Sequence, residues 1–392
     1  MVHARIIGGA GVTSTRAKLP FRVTSEWQTG ICIHLQQYPQ IGRQPCRSGR
    51  PGRPVRDSSC HKQLCGRHFA PRGVRSHARQ GCPMRHVFDP LKQLYLDARI
   101  LWHFRELNPA SVTLPPYGHR VFVDPRDRRA RKMLLADTIR GKYRRNRDFW
   151  LRATERFAPD LAIDVGVNFG EVLFLPQYGQ RTRIIGVEAN PILHNYLEQS
   201  RQHHPGGDRI ELYQAIAAGE SGPAIPFHVD QDWSGGSTAA AGVTARRGEH
   251  LRTEMVATVS IDDLVARQES ISGQRVLFKI DVEGYEPLVF SGMGQTLRTA
   301  ASVLGFIEFD VALLIEAGVD ASEFWDQLQG QFEVWMFTGP RGAMRVNREN
   351  LQQAAAHFGR KNLHTDLVLA RHVSRDVMAS LMEPWTTQRR AA

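Results

Sequence analysis

Between about Asp148 and His372 two hydrophobic rhythms alternate along the chain. Short apolar runs predict strands at Leu161–Val165, Arg183–Glu188, Ile210–Ile216, Val276–Asp281, Val303–Phe309, Phe332–Phe337 and Leu367–Ala370. Stretches with helical spacing lie between them, at Glu171–Tyr178, Ile192–His203, Ile261–Gln268, Tyr285–Ser291 and Ala321–Gln329. Strands separated by helices predict a doubly wound α/β fold, a mostly parallel sheet covered on both faces. Upstream, Val87, Leu91, Leu94, Tyr95, Leu101, Trp102 and Leu107 recur at helical spacing, which predicts an amphipathic helix ending before Asn108-Pro109. Pro115-Pro116 then leads into an extended piece, His119–Val123. Residues 84–148 therefore read as a helical accessory segment, 149–372 as the main domain and 373–392 as a tail.

Charge and cysteine usage divide the chain at about Met84. Overall there are 51 Lys+Arg against 39 Asp+Glu, a net charge of +12. Residues 1–83 alone carry 14 Lys+Arg against two acids, Glu26 and Asp57, so the rest of the chain is balanced. All five cysteines, Cys32, Cys46, Cys60, Cys65 and Cys82, fall in the same leading segment. That segment lacks sustained periodicity and cannot bury enough apolar surface to offset its ordering entropy. It reads as a basic tail able to touch nucleic acid or an acidic membrane, as a zinc module using Cys60, His61, Cys65, His68 and Cys82, or as a disordered or misassigned extension. The abrupt change in composition favours the last, and no nucleic-acid function is built on it. No uncharged apolar run approaches the roughly 18 residues of a membrane span, and the first 20 residues lack a secretory h-region. The expectation is a soluble, cytoplasmic protein without a membrane span.

A second basic run, Arg126, Arg128, Arg129, Arg131, Lys132, Arg140, Lys142, Arg144, Arg145 and Arg147, lies in the accessory segment. It reads as a site for an anionic substrate or as a solvated helix face over Met133, Leu134, Leu135 and Ile139. Charge runs usually belong to solvated faces, and that reading is preferred.

In doubly wound sheets ligands sit outside the carboxyl ends of the strands, so the residues after each strand carry the chemistry. After the first comes "AIDVGVNFGEVLF", where Gly166 and Gly170 permit a tight turn and a close backbone approach. It lacks the third glycine of the dinucleotide fingerprint and the G-K-[ST] of a P-loop. The acid Asp164 at the strand end suits a cationic ligand. After the second strand stands Glu188 in "IIGVEANP", placed to accept from a ribose diol, with Pro191 opening the next helix. "YQAIAAGESG" offers small residues around Ala215 and Ile216 that suit a flat adenine. In "LFKIDVEGYEPLVFSGM", Lys279, Asp281 and Glu283 alternate and share one face. Buried between Val276, Leu277, Phe278 and Ile280, such a cluster is costly without purpose. Ser260 in "VSIDDL" reads as a helix cap, with Asp263 as the capping-box acid.

Together these stretches resemble the FkbM family of S-adenosylmethionine-dependent methyltransferases. "DVGVNFG", "VEANP", "QAIAAGESG", "GGST", "VSIDDL", "LFKIDVEGYEPLVFSGM" and "GFIEFD" occur in the family's order, over about Phe149 to Ala370. Val167 stands where the family more often has Ala, and Ala189 where it more often has Pro. The resemblance implies a class I methyltransferase (Rossmann-like) fold and S-adenosyl-L-methionine as cofactor. Asp164, Gly166, Asn168 and Gly170 would hold its amino-acid end, Glu188 its ribose, and Ala215 and Ile216 the adenine, with Asn190 a further cofactor-binding residue. It also implies O-methylation of a sugar, a glycan or another natural product. Asp281 and Glu283 are the candidate bases, Lys279 orients them or polarises the acceptor, and Glu308 is a weaker candidate. No metal is expected, with a divalent ion held by Asp281 and Glu283 as the alternative. An N- or carboxyl-methyltransferase, or a binding protein without chemistry, remains the alternative, because acceptor choice would lie in Asp230–Arg252 and Gly339–His364.

Overall fold

The computed structural model describes residues 84–135, 142–244, 251–267, 271–339, 342–347 and 363–386. Residues 1–83, with the tail, zinc and extension readings, lie outside them, as do 245–250, 340–341 and 348–362 of the two expected acceptor segments. The chain runs through α1 (Met84–Phe104), β1 (Ser111–Leu114), β2 (His119–Phe122), α2 (Arg128–Leu134) and α3 (Lys142–Arg156). The main sheet opens with β3 (Leu161–Val165), β4 (Arg183–Glu188), α4 (Pro191–His203) and β5 (Ile210–Gln214). A side sheet follows from β6 (Ile216–Ala217), β7 (Gly222–Asp230) and β8 (Leu251–Val259), with α5 (Ala241–Thr244) between the last two. Then come α6 (Ile261–Ala266), β9 (Arg275–Ile280), α7 (Glu286–Ser291), α8 (Gly294–Thr299) and β10 (Ser302–Asp310). The last described elements are α9 (Val311–Glu316), α10 (Ala321–Gln331), β11 (Glu333–Gly339), β12 (Gly342–Val346), β13 (His364–Arg371) and α11 (Arg375–Thr386).

The main sheet has the order β12-β11-β13-β10-β9-β3-β4-β5. From β10 to β5 every pairing is parallel, and β13 enters antiparallel between β10 and β11. Both faces are covered, so alternate residues of one strand feed two cores. Leu161, Ile163 and Val165 pack with Val276, Phe278, Ile280, Val303 and Ile307 on one side. Ala162, Leu277, Leu304, Phe306 and Val368 face the other, under Phe149, Met133 and Trp385. This two-sided burial is why the strands read as continuous apolar runs. The chain begins the parallel portion at β3, proceeds outward through β4 and β5, then returns to β9 on β3's other flank. The carboxyl ends of β3 and β9 are therefore the switch point at which doubly wound folds bind ligands.

Several expectations change. The helix over Glu171–Tyr178 is instead a single turn, with Phe174 N–H bonded to Gly170 O at 2.9 Å. Pro176 lacks an N–H and disfavours helical geometry at Leu175, so the turn cannot propagate. The third strand ends at Gln214, and the chain leaves the main sheet at Ala215 to pair Ile216 and Ala217 with β8. The segment 373–392, read as a tail, holds α11, whose Met378, Leu381, Met382 and Trp385 are buried. In α1 the inward stripe is Leu96, Ile100 and Phe104, while Leu94, Tyr95, Leu101 and Trp102 are exposed. Ser260 caps α6 as expected, accepting from Asp263 N–H at 3.0 Å. Asp263 completes the box indirectly: it takes the Ser221 hydroxyl, whose oxygen accepts from Ser260 N–H at 2.9 Å.

The second basic run is only partly a solvated face: Arg126, Arg128 and Arg144 are exposed over the buried Met133, Leu134 and Leu135, and other members turn inward. Arg131, Arg145 and Arg147 are buried, and Arg131 pairs with Asp97, Arg145 with Asp366. Asp366 is 1% exposed and shares its sheet face with Glu308, its partner across β10 and β13. Removing one member of such a pair leaves an uncompensated buried charge. Arg145→Ala is therefore expected to cost about 3–5 kcal/mol. Urea unfolding monitored by fluorescence measures this, and a loss below 1 kcal/mol would make the pair a bystander.

Candidate active site

A cleft opens over the carboxyl ends of β5, β4 and β3. Its lining includes Ala215, Ile216 and Phe227 at one end, Glu188 and Ala189 in the middle, and Gly166, Asn168 and Ser234 at the other. A second cavity, about 250 Å³, adjoins it and is lined by Lys279, Glu308, His364, Asn146, Arg147, Glu171 and Trp233 among others. Four residues line both: Arg129, Gly235, Asp281 and Glu283. At this size the second cavity suits a small group or one end of a larger molecule.

The tight turn after β3 is built by several unusual backbone conformations. Gly166 has φ of 77° and Asn168 of 54°. A Cβ at Gly166 would lie 2.0 Å from the Asp281 carbonyl oxygen, so glycine here lets β3 and β9 close up. The expected reason, approach of a ligand, stands beside this one, because Gly166 also lines the cleft. Gly170 likewise faces Phe174 and Leu197 in the core; it is absent from the cleft lining.

Glu188 ends β4 and is 8% exposed. Its two oxygens accept from Asn168 N–H at 2.7 Å and Asn190 N–H at 2.8 Å. Burial pushes its carboxyl up, while those two N–H groups act the other way. The same carboxylate thus ties the β3 turn to the start of α4 and still faces the cleft. Asn190 does not line the cleft. It is the N-cap of α4, accepting from Ile192 N–H at 3.0 Å, with Pro191 next in the first turn.

Asp164 is fully buried behind the cleft wall instead of lining it. Cross-strand from Lys279, it accepts the ammonium at 3.1 Å, and Lys279 also donates to Gly166 O at 3.1 Å. Burial pulls the Lys279 pKa down, but the charges of Asp164 and Asp281 outweigh it and the net shift is upward. The ammonium is therefore a fixed positive charge, 3.9 Å from Asp281 Oδ2. Lys279, Asp281 and Glu283 all line the second cavity, as their alternation predicts. Glu283 has φ of 56°, and its carbonyl accepts the Thr238 hydroxyl at 2.9 Å. Oxygens of Asp281, Glu283 and Glu308 lie within 4.8 Å of one another, a spacing a divalent cation could bridge.

Four polar residues around the site were not assigned to it from the sequence. Arg129 and Glu171 pair at 2.5 Å beside the β3 turn. His364 stands 3.3 Å from Glu308, with Asp310 on its other nitrogen. Glu286 underlies the loop after β9. Only Glu171, directly after "DVGVNFG", carried a local hint.

Glu286 accepts from Val282 N–H at 3.0 Å and from Gly284 N–H, fixing the loop that carries Asp281 and Glu283. Burial, then the charge of Glu308, pushes its carboxyl up to about 8, against an ordinary 4.5. The folded state holds this proton more tightly than the unfolded chain. The resulting stability is fully present below the ordinary value and is lost as pH rises through the folded one. Between about pH 5 and pH 8 this group should lower stability by up to about 1.4 kcal/mol per pH unit. Glu286→Gln is expected to flatten that slope in denaturant titrations across the window. An unchanged slope would mean that Glu286 is already ionised in the fold.

Residues 164–338 match the family model described as the methyltransferase FkbM domain. No curated protein matches the chain. Among solved structures, the chain is similar to methyltransferase FkbM from Methylobacillus flagellatus KT, at 12% identity and a TM-score of 0.31 over 54% of this chain and 44% of that one. It is also similar to an O-methyltransferase from Bacillus cereus in complex with SAH (9%, TM-score 0.32, 58% of this chain, 80% of that one). A third is the O-methyltransferase TomG from Streptomyces achromogenes, in complex with SAM (11%, TM-score 0.34, 71% and 97%). Sheet order, switch-point cleft and family match converge, and over residues 164–338 this chain is a methyltransferase FkbM domain.

Proposed function

We propose that this protein transfers the methyl group of S-adenosyl-L-methionine to a hydroxyl oxygen of a sugar, glycan or other natural product. The observation that carries the reading is the pair of adjoining cavities with Asp281 and Glu283 at their junction. The donor set suits the cofactor: a buried carboxylate at the ribose position, and an apolar slot of Ala215, Ile216, Phe227 and Tyr285 for a flat base. When bound, the cofactor supplies an electrophilic methyl group.

Everything else falls to side chains of this chain. The second cavity seats the acceptor so that its hydroxyl points at the junction, and holding both partners in line supplies most of the acceleration. Asp281 accepts the hydroxyl proton as the oxygen attacks. Lys279 sets a positive charge beside that carboxylate, and Glu286 fixes the loop bearing it. Glu283 and Glu308 bind acceptor hydroxyls on the far side of Asp281. Trp233, whose ring also carries the Lys132 ammonium at 3.8 Å, provides the flat wall suited to a sugar ring.

Isothermal titration with S-adenosylmethionine tests the first half of the reading. Labelled methyl transfer to a panel of sugars, sugar nucleotides, amines and carboxylates tests the second. Labelling confined to amines or carboxylates would replace the O-methyltransferase reading, and absence of cofactor binding would remove it.

A further inference from the structure

The cleft holds a charge imbalance that the family match leaves unexplained. Among the described residues lining it, Glu188, Asp281 and Glu283 are anionic, and Arg129 alone is cationic. Arg129 lies on α2, upstream of the matched segment 164–338. A ligand with an α-amino acid at one end brings a carboxylate into this acidic cleft, and burying that charge requires a partner.

The position of Arg129 fits that need. Residues after β5, β4 and β3 line the cleft in order, with the apolar slot at Ala215, Glu188 next and the Gly166 turn last. Arg129 pairs with Glu171, which follows that turn, so it stands at the end opposite the apolar slot. Its helix is clamped there. Asp127 caps α2, accepting from Arg129 N–H at 2.7 Å and Ala130 N–H at 2.9 Å. The other Asp127 oxygen accepts from Ser234 N–H at 2.8 Å, and the Ser234 hydroxyl bonds Asn168 at 3.2 Å. A Cβ on Gly235 would approach the Arg129 side chain to 3.4 Å, so the guanidinium runs close along that turn.

We propose that Arg129 is the carboxylate-binding residue of the cofactor site, supplied by the accessory segment to grip the methionine end of S-adenosylmethionine; this rests on the cofactor reading above. Glu171 orients one edge of the guanidinium. The planar fork has five N–H donors, enough to serve Glu171 and a ligand carboxylate together. Because Arg129 lines both cavities, gripping that end also fixes where the methyl group points toward the acceptor. Arg129 is thus a binding and positioning residue.

Two ligands separate this role from a merely structural one. S-adenosylhomocysteine carries the amino-acid end; 5′-methylthioadenosine keeps the adenosine and thioether but lacks it. In calorimetry on the full chain, Arg129→Gln is expected to weaken S-adenosylhomocysteine at least about tenfold and leave 5′-methylthioadenosine within about twofold. Arg129→Lys should recover part of the loss, since an ammonium keeps the charge without the fork. Should Arg129→Gln unfold because Glu171 has lost its cation, Arg129→Gln combined with Glu171→Gln removes both charges and carries the same expectation. Equal losses for both ligands, or no loss for either, would overturn the assignment while leaving the cofactor reading intact. A wild-type chain that bound neither ligand would overturn both.

Discussion

Asp281→Asn is expected to leave the fold and much of the cofactor affinity in place while lowering turnover about 10²–10⁴-fold, the usual effect of removing a general base. Asp281 follows β9 at the switch point, and its N–H still pairs with Val165 O at 3.1 Å. The backbone is therefore anchored independently of the carboxylate. An amide preserves size and one acceptor oxygen but cannot take a hydroxyl proton. Labelled methyl transfer to an identified acceptor, run beside a cofactor titration, measures both halves. Near wild-type turnover would mean that positioning alone carries the reaction, and Asp281 would lose its role. A parallel fall in affinity would instead make it part of the cofactor cradle.

Glu188→Ala is expected to weaken S-adenosylmethionine at least tenfold. Each charge-assisted hydrogen bond to the ribose contributes roughly 1.5–3 kcal/mol. The structure adds a second route to the same loss, because Asn168 and Asn190 N–H groups both depend on this carboxylate. Glu188→Gln separates the two routes. It keeps an oxygen for one of these groups, so the turn should be partly preserved while the ribose contact is weakened. Calorimetry with thermal melts of both variants decides the matter; unchanged affinity in a folded Ala variant would place the ribose elsewhere.

The central strands were legible because burial on both faces writes itself as unbroken apolar runs, and the cleft-lining positions of Glu188, Asp281 and Glu283 because they stand at or just after the ends of those runs. Asp164 was misplaced for an instructive reason. Strand position gives the height of a side chain in the sheet but not which neighbour will claim its charge, and Lys279 claims this one. Asn190 was drawn into the site by its nearness to Glu188 when its local task is to cap a helix. Arg129, Glu171 and His364 were unreadable because each acquires meaning from a residue far away in sequence. The basic run of the accessory segment misled most, since counting charges cannot distinguish solvated arginines from ones matched one by one to acids such as Asp97, Glu171 and Asp366.

The insertion of β13 between β10 and β11 has a consequence for how the molecule is made. β10 and β11 precede residues 364–371 in the chain, yet in the finished sheet they are not neighbours and β13 lies between them. Until β13 arrives, β10 offers an open, apolar edge with Val303, Phe306 and Ile307 beside it. Unpaired edges of this kind are where nascent chains stick to one another. The late strand, followed at once by α11, closes that edge and caps one core in the same step. Removing residues 364–386 should therefore lower the yield of soluble protein sharply relative to the full chain.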